Sequence, residues 1–317
     1  GLNRFPQFRT TIDGLGIHFL HVTSPEPDAL PLVLTHGWPG SVTEFMDVIG
    51  PLTDPVAHGG NASDAFHLVV PSLPGFGFSD RPTATGWGRE RIADAWATLM
   101  ARLGYDRYGP QGEDWGSSIS SYLGARHPEH VAGIHVNLIY GAPDPAQKEF
   151  TAEEQAKLTE MREWRANFFK WETGYSTQQS SRPQTLGYGL TDSPAGQCAW
   201  ILEKFYSWTD CDGGPLAAFG TDRILDNISV YWLTATATSS ARLYWEGRPA
   251  LFTGTVDVPS GASIFPKELG RPYRPWAARS YTDLRYWNEL DRGGHFAAFE
   301  QPDLFAQEVR NFFRLVR

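Results

Sequence analysis

The sequence predicts an α/β fold: a mostly parallel central sheet flanked by helices and interrupted by a helical insertion. Three observations carry that reading. Leu32-Val33-Leu34 and Leu68-Val69-Val70 are wholly apolar runs. They suit strands buried on both faces of a parallel sheet, because a half-exposed strand would alternate. Strand-like and helix-like segments alternate as far as about residue 140, as crossover connections require. From about 141 to 240 the alternation stops and helical sequence takes over.

In chain order, Thr10 to Val22 reads as a hairpin turning at Asp13-Gly14-Leu15-Gly16. Residues 88–103 carry Ile92, Ala95, Trp96, Leu99 and Leu103 on one helical face. Tyr108 to Gly112 is expected as a strand despite Pro110. Ser117 to Arg126 follows as a helix stopped by His127-Pro128, and Val131 to Ile139 as the next strand. The insertion holds expected helices at 152–171, 195–208 and 224–236. Residues 250–258 and 285–290 read as the last strands, and Asp303 to Leu315 as a closing amphipathic helix. The sheet domain is thus expected in two parts, 1–140 and 241–317, with a helical cap at 141–240 between them.

At 317 residues and 41% hydrophobic, the chain can bury a sizeable core. Its 27 basic residues stand against 36 acidic ones, and no Lys/Arg block stands out. A nucleic-acid or anionic-membrane partner is not expected on that balance. Cys198 and Cys211 make neither a disulfide scaffold nor a zinc site, and no metal or cofactor is expected. No apolar run approaches the roughly 18 residues of a membrane span, nor is there a signal-peptide core. Twelve Trp within 14% aromatic content fit a large core or an aromatic-lined pocket for an apolar ligand.

The chemistry gathers at Gly112-Glu113-Asp114-Trp115-Gly116. Small residues two before and two after a centre are the spacing of a nucleophile elbow, a sharp strand-to-helix turn. Ser usually stands at the tip, and here it is Asp114. A helix N-terminus favours an ionised carboxylate there, although an Asp before a helix also serves as an N-cap. Upstream, His36-Gly37-Trp38-Pro39-Gly40 follows a buried strand, where α/β-hydrolases place the second half of an oxyanion hole. Gly293-Gly294-His295 follows the last strand, where that fold delivers its base. The pattern leaves the orienting acid open among Asp144, Asp257, Glu268 and Asp291.

HGWPGS, PSLPGFGFSD, QGEDWGSS, FPKELG and RGGHFAAFEQPDLFAQEVRNF together resemble the microsomal-type epoxide hydrolases, including the juvenile-hormone group. The similarity runs along nearly the whole chain. It implies an α/β-hydrolase fold with an inserted helical cap, and an enzyme that opens an apolar epoxide with water to a vicinal diol. The FPKELG match selects Glu268 as the acid orienting His295. Local matches give Tyr175 in ETGYSTQQ and Tyr244 in SSARLYWEG as the cap phenols that protonate the epoxide oxygen. Members carry further N-terminal residues, with a membrane anchor in the animal microsomal enzymes. This chain opens on Gly, so it is expected to start after most of that segment, as a soluble, cytoplasmic, bacterial relative. Self-association as a homodimer stays open.

An epoxide carbon is sp³, so ring opening is a displacement, and a carboxylate nucleophile leaves an ester that water can cleave. Asp114 would form that ester, and His295 would activate the water, for which it must start neutral. Backbone N–H groups of Trp38 and Trp115 would hold the oxyanion, at about 3 kcal/mol per donor. His36, Gly37, Trp38, Pro39 and Trp115 are expected around the substrate. A haloalkane dehalogenase also uses an Asp followed by Trp, but it resembles HGNP rather than HGWP at the turn and gives the tyrosines no role. A ligand-binding protein on the same fold is the remaining alternative.

Overall fold

A computed structural model describes residues 1–212, 214–247 and 252–317. Strands β1 (Gln7–Ile12) and β2 (Leu15–Val22) form the expected hairpin. Then come β3 (Leu30–Thr35), the short helix α1 (Ile49–Thr53), β4 (Phe66–Pro71) and α2 (Arg89–Arg102). After β5 (Gly109–Gly112) and α3 (Trp115–Arg126) comes β6 (Ile134–Val136). The sheet order among the described residues is β1-β2-β4-β3-β5-β6, continued by β7 (Ser260–Ile264) and β8 (Leu284–Glu289). Only the β1–β2 and β2–β4 pairings are antiparallel there.

Burial explains the apolar runs. Val33 and Val69 pack on one side of the sheet with Trp96, Leu99 and Ile119. Leu32, Leu34, Leu68 and Val70 pack on the other with Phe305, Val309 and Phe312. Both faces of β3 and β4 are therefore core, as the absence of alternation requires.

Between β6 and β7 lie α4 (Ala152–Trp171), α5 (Gly174–Ser181), α6 (Pro183–Asp192), α7 (Pro194–Trp208), α8 (Pro215–Phe219), α9 (Thr221–Thr234) and α10 (Ala237–Glu246). A capping box fixes the start of α4: Thr151 accepts from the Glu154 N–H, and Glu154 from the Thr151 N–H. Short helices α11 (Arg274–Ala277) and α12 (Ala297–Glu300) flank β8, and α13 (Pro302–Phe313) closes the chain.

The expected strand at 285–290 falls on β8, whereas the one at 250–258 is corrected. Within 250–258, residues 250 and 251 lie outside the described residues, and Val256 makes only an isolated bridge to Tyr281. The paired strand β7 lies later, at Ser-Gly-Ala-Ser-Ile, where small residues let Phe312 of α13 pack against the Gly261 backbone. Strand β6 is likewise shorter than the apolar run that predicted it. No described helix is long and apolar enough to cross a membrane.

Candidate active site

Asp114 sits at φ 49°, ψ −121°, a left-handed backbone that few L-residues adopt without cost. Two glycines make the turn possible. A Cβ at Gly112 would collide with the Gly116 carbonyl, and one at Gly116 with the Thr35 carbonyl. The elbow therefore closes flat against β3, and Asp114 projects above the carboxyl ends of the parallel strands. Its side chain makes no capping hydrogen bond to α3, so the N-cap role is not the one it takes. Instead Oδ1 accepts from the Trp38 N–H at 2.9 Å, and Oδ2 lies 3.4 Å from Nε2 of His295.

The base is held from behind. His295 Nδ1 donates to Glu268 Oε1 at 2.6 Å, and the Leu269 N–H donates to the same oxygen at 2.5 Å. A bridge between Lys267 and Gly294 ties the acid and base loops together. The other acids go elsewhere: Asp144 to Arg279, Asp257 to Thr282 and Asp291 to Arg292. Burial opposes charge on His295, yet Glu268 and Asp114 outweigh it and hold the imidazole pKa well above its ordinary value. The two carboxylates thus favour the charged imidazole, whereas the sequence reading asks for a neutral one only at the stage where water is activated.

The oxyanion turn is built by the core and the cap together. Gly37 leaves no room for a Cβ beside Asp114. Asn227 of α9 donates to the Pro39 carbonyl at 2.9 Å, and the Tyr231 hydroxyl donates to the Gly40 carbonyl at 2.6 Å. Trp115 begins α3, where a backbone N–H has no intrahelical acceptor. His36, expected around the substrate, has both ring nitrogens engaged by the protein: Nε2 accepts from the Leu73 N–H and Nδ1 donates to the Gly37 carbonyl. Burial drives its pKa down to about 4, so it stays neutral and shapes the turn from below.

Above Asp114 is a cavity of about 220 Å³ whose walls include Asp114, Trp115, Leu138, Phe168, Tyr175 and Tyr244. A larger surface hollow, about 570 Å³, runs past Arg9, His18 and Phe78 but holds neither Asp114 nor His295. The cap brings both expected phenols in, Tyr175 on α5 and Tyr244 on α10, with ring centroids 5.6 Å apart. Burial pushes both hydroxyl pKa values up, and the Asp114 charge adds to it, so each holds its proton. Trp38 stacks on Tyr175 at 4.9 Å and meets Tyr244 edge-on at 5.7 Å. Of the other cap aromatics, Phe168 lines the cavity and Trp208 lies edge-on to His295, whereas Phe169 and Trp171 face solvent.

Sequence reasoning missed Tyr140, another cavity phenol, and a pair of buried acids. Glu44, in the 3-10 turn Val42–Phe45, packs on Gly40 with its carboxyl against that of Glu113. Glu113 in turn accepts from Asn137 Nδ2 at 2.9 Å and from the Ala298 N–H at 3.1 Å. The pair thereby joins the oxyanion turn, the elbow and the base loop. Burial is the main cause that raises both acids, Glu44 to about 8; the Glu44 charge raises Glu113 further, while the hydrogen bond from Glu113 lowers Glu44. Free glutamates lose their protons near pH 4.5, so the folded pair binds the extra proton and stability falls as pH climbs from there through about 8. In Glu113→Gln that decline should flatten, seen as a smaller drop in the thermal midpoint between pH 5 and pH 9.

Fold and site define an α/β hydrolase whose elbow carries a carboxylate. Its Epoxide hydrolase N terminus segment matches at residues 1–45, and the alpha/beta hydrolase fold family matches at residues 31–189. A putative epoxide hydrolase of Stigmatella aurantiaca is 54% identical over all of this chain and 71% of its own length. Epoxide hydrolase 1 of Sus scrofa is 37% identical over 99% of this chain and 75% of its own. The crystal structure of juvenile hormone epoxide hydrolase from the silkworm Bombyx mori superposes with a TM-score of 0.88 at 34% identity, covering 100% of this chain and 80% of that one. The chain belongs to the microsomal and juvenile-hormone type of epoxide hydrolases.

Proposed function

We propose that the protein converts an apolar epoxide to its vicinal diol through an ester on Asp114. The observation that carries this is the placement of Asp114, with one oxygen on the Trp38 N–H and the other facing His295, beneath two protonated phenols. In the first step Asp114 attacks a ring carbon, the C–O bond breaks, and Tyr175 or Tyr244 gives its proton to the departing oxygen. Esterification removes the carboxylate charge. His295 then faces only Glu268 and can pass its proton to the phenolate, which equips it to take one from water. That water adds to the ester carbonyl, whose oxyanion falls to the N–H groups of Trp38 and Trp115; its collapse breaks the acyl carbon–oxygen bond, and the departing alkoxide takes the remaining proton of the water.

The phenols argue against halide release, because a departing halide needs no proton. The cavity of about 220 Å³ favours a compact substrate, such as an epoxide bearing one aromatic ring, over an extended chain. A single turnover in ¹⁸O-water tests the scheme. The label is expected in the Asp114 carboxylate and absent from the diol. Label appearing directly in the diol would mean that water, not Asp114, opens the ring. No diol from any member of an epoxide panel, with binding retained, would assign the protein to ligand binding.

A further inference from the structure

Lys204 of α7 is a cation inside the cap, with its side chain only 3% exposed. Its Nζ lies 4.8 Å from the ring centroid of Tyr175 and 5.3 Å from that of Trp208. Glu172 reaches it at 3.4 Å, and Glu203 is in direct contact. Glu203 is more than half exposed, so the lysine could have followed its neighbour out to solvent. It turns inward over the two rings instead, although burying an ammonium is costly. Glu172 completes the arrangement by accepting from Trp208 Nε1 at 3.0 Å.

Tyr175 therefore has an indole stacked on its ring at 4.9 Å and an ammonium over it at 4.8 Å. A cation near a phenol favours the form in which the oxygen has gained negative charge. Burial acts the other way and holds the proton on, together with the Asp114 and Glu172 carboxylates, while the Tyr244 hydroxyl opposes them. Lys204 is the cation lying over this ring. Resting on the donor reading of Tyr175, we propose that Lys204 is a positioning residue for proton donation: it fixes the Tyr175 ring above Asp114 and stabilises the phenolate charge that appears as the epoxide opens. The balance is simple. The Asp114–carbon bond forms, the carbon–oxygen bond breaks, and the Tyr175 proton goes to the oxygen. The water that later cleaves the ester supplies the replacement: one of its protons restores the phenol by way of His295, and the other goes to the alkoxide that leaves Asp114.

Single-turnover kinetics of ester formation and ester hydrolysis, followed separately, test the proposal. Lys204→Met is expected to slow ester formation about tenfold and to leave hydrolysis within about twofold. Lys204→Arg, which keeps a cation, should recover most of the loss; Lys204→Gln serves as the neutral variant if Met does not fold. In a Tyr175→Phe background, Lys204→Met should add no further slowing, because the group it acts through is gone. An equal factor in both backgrounds, equal loss in both steps, or no loss at all would overturn the role of Lys204 while leaving Tyr175 as donor. Ester formation at the parent rate in Tyr175→Phe itself would instead overturn the donor reading, and the lysine's role with it.

Discussion

His295→Gln is expected to stop after one half-reaction. The protein should consume about one epoxide per chain and gain the mass of that epoxide on the peptide carrying Asp114, while diol release slows by about 10²-fold or more. The glutamine cannot take a proton from water, but ring opening asks nothing of residue 295 beyond room for the nucleophile. Intact-mass analysis followed by peptide mapping reads the outcome. Normal diol production by this variant would rule out His295 as the base. The electrostatics sharpen the expectation for the unmutated protein. With Asp114 ionised, two carboxylates hold the imidazole cationic; with Asp114 esterified, only Glu268 remains against burial. Lowering the pH should therefore slow ester hydrolysis, as the imidazole regains its proton, well before it slows ester formation.

Asp114→Ala is expected to abolish diol formation, by about 10⁴-fold or more, and to leave no covalent mass under any condition. Alanine is not a neutral choice for the backbone, since φ at this position is 49° and the left-handed region costs a β-carbon about 1 kcal/mol or more. The diagnostic signal is therefore taken from His295. Loss of one of its two facing carboxylates should move the imidazole titration downward, which NMR of the ring protons measures. Residual turnover near the parent rate, or an unmoved titration, would contradict the geometry at Asp114.

The elbow was legible because steric necessity writes it into sequence. Gly112 and Gly116 stand where no Cβ fits, and the oxyanion turn follows a strand whose apolar run marks it as buried. The orienting acid was not legible from spacing alone. Four carboxylates were open candidates, and only the fold shows that three of them meet arginine or threonine at the surface while Glu268 turns inward. The rest was hidden for a related reason. Helix α5 delivers Tyr175, but its sequence is rich in Ser, Thr and Gln and gives little apolar periodicity. Strand β7 lacked signal because close packing on α13 demands small residues rather than large apolar ones. Glu113, Glu44 and Lys204 belong to no local pattern that marks them as buried. Their burial depends on contacts 69, 185 and 29 residues apart in the chain, which no local pattern records.

The hydrogen bonds between cap and core have a mechanical consequence. The Trp208 carbonyl at the end of α7 accepts from the His295 N–H at 2.9 Å, and Asp210 accepts from the Gly293 N–H at 2.9 Å. With Asn227 and Tyr231 on the oxyanion turn, the cap thus holds the backbone of the base loop and of the turn. A cap swinging away as a door would break these bonds together, each at about 1–3 kcal/mol if left unpaired. It would also pull the base out of register with Asp114. Traffic of epoxide and diol is better served by small movements near Phe168 and Leu269, which border the cavity yet make none of those bonds. The cap is a keystone for the base loop and the oxyanion turn.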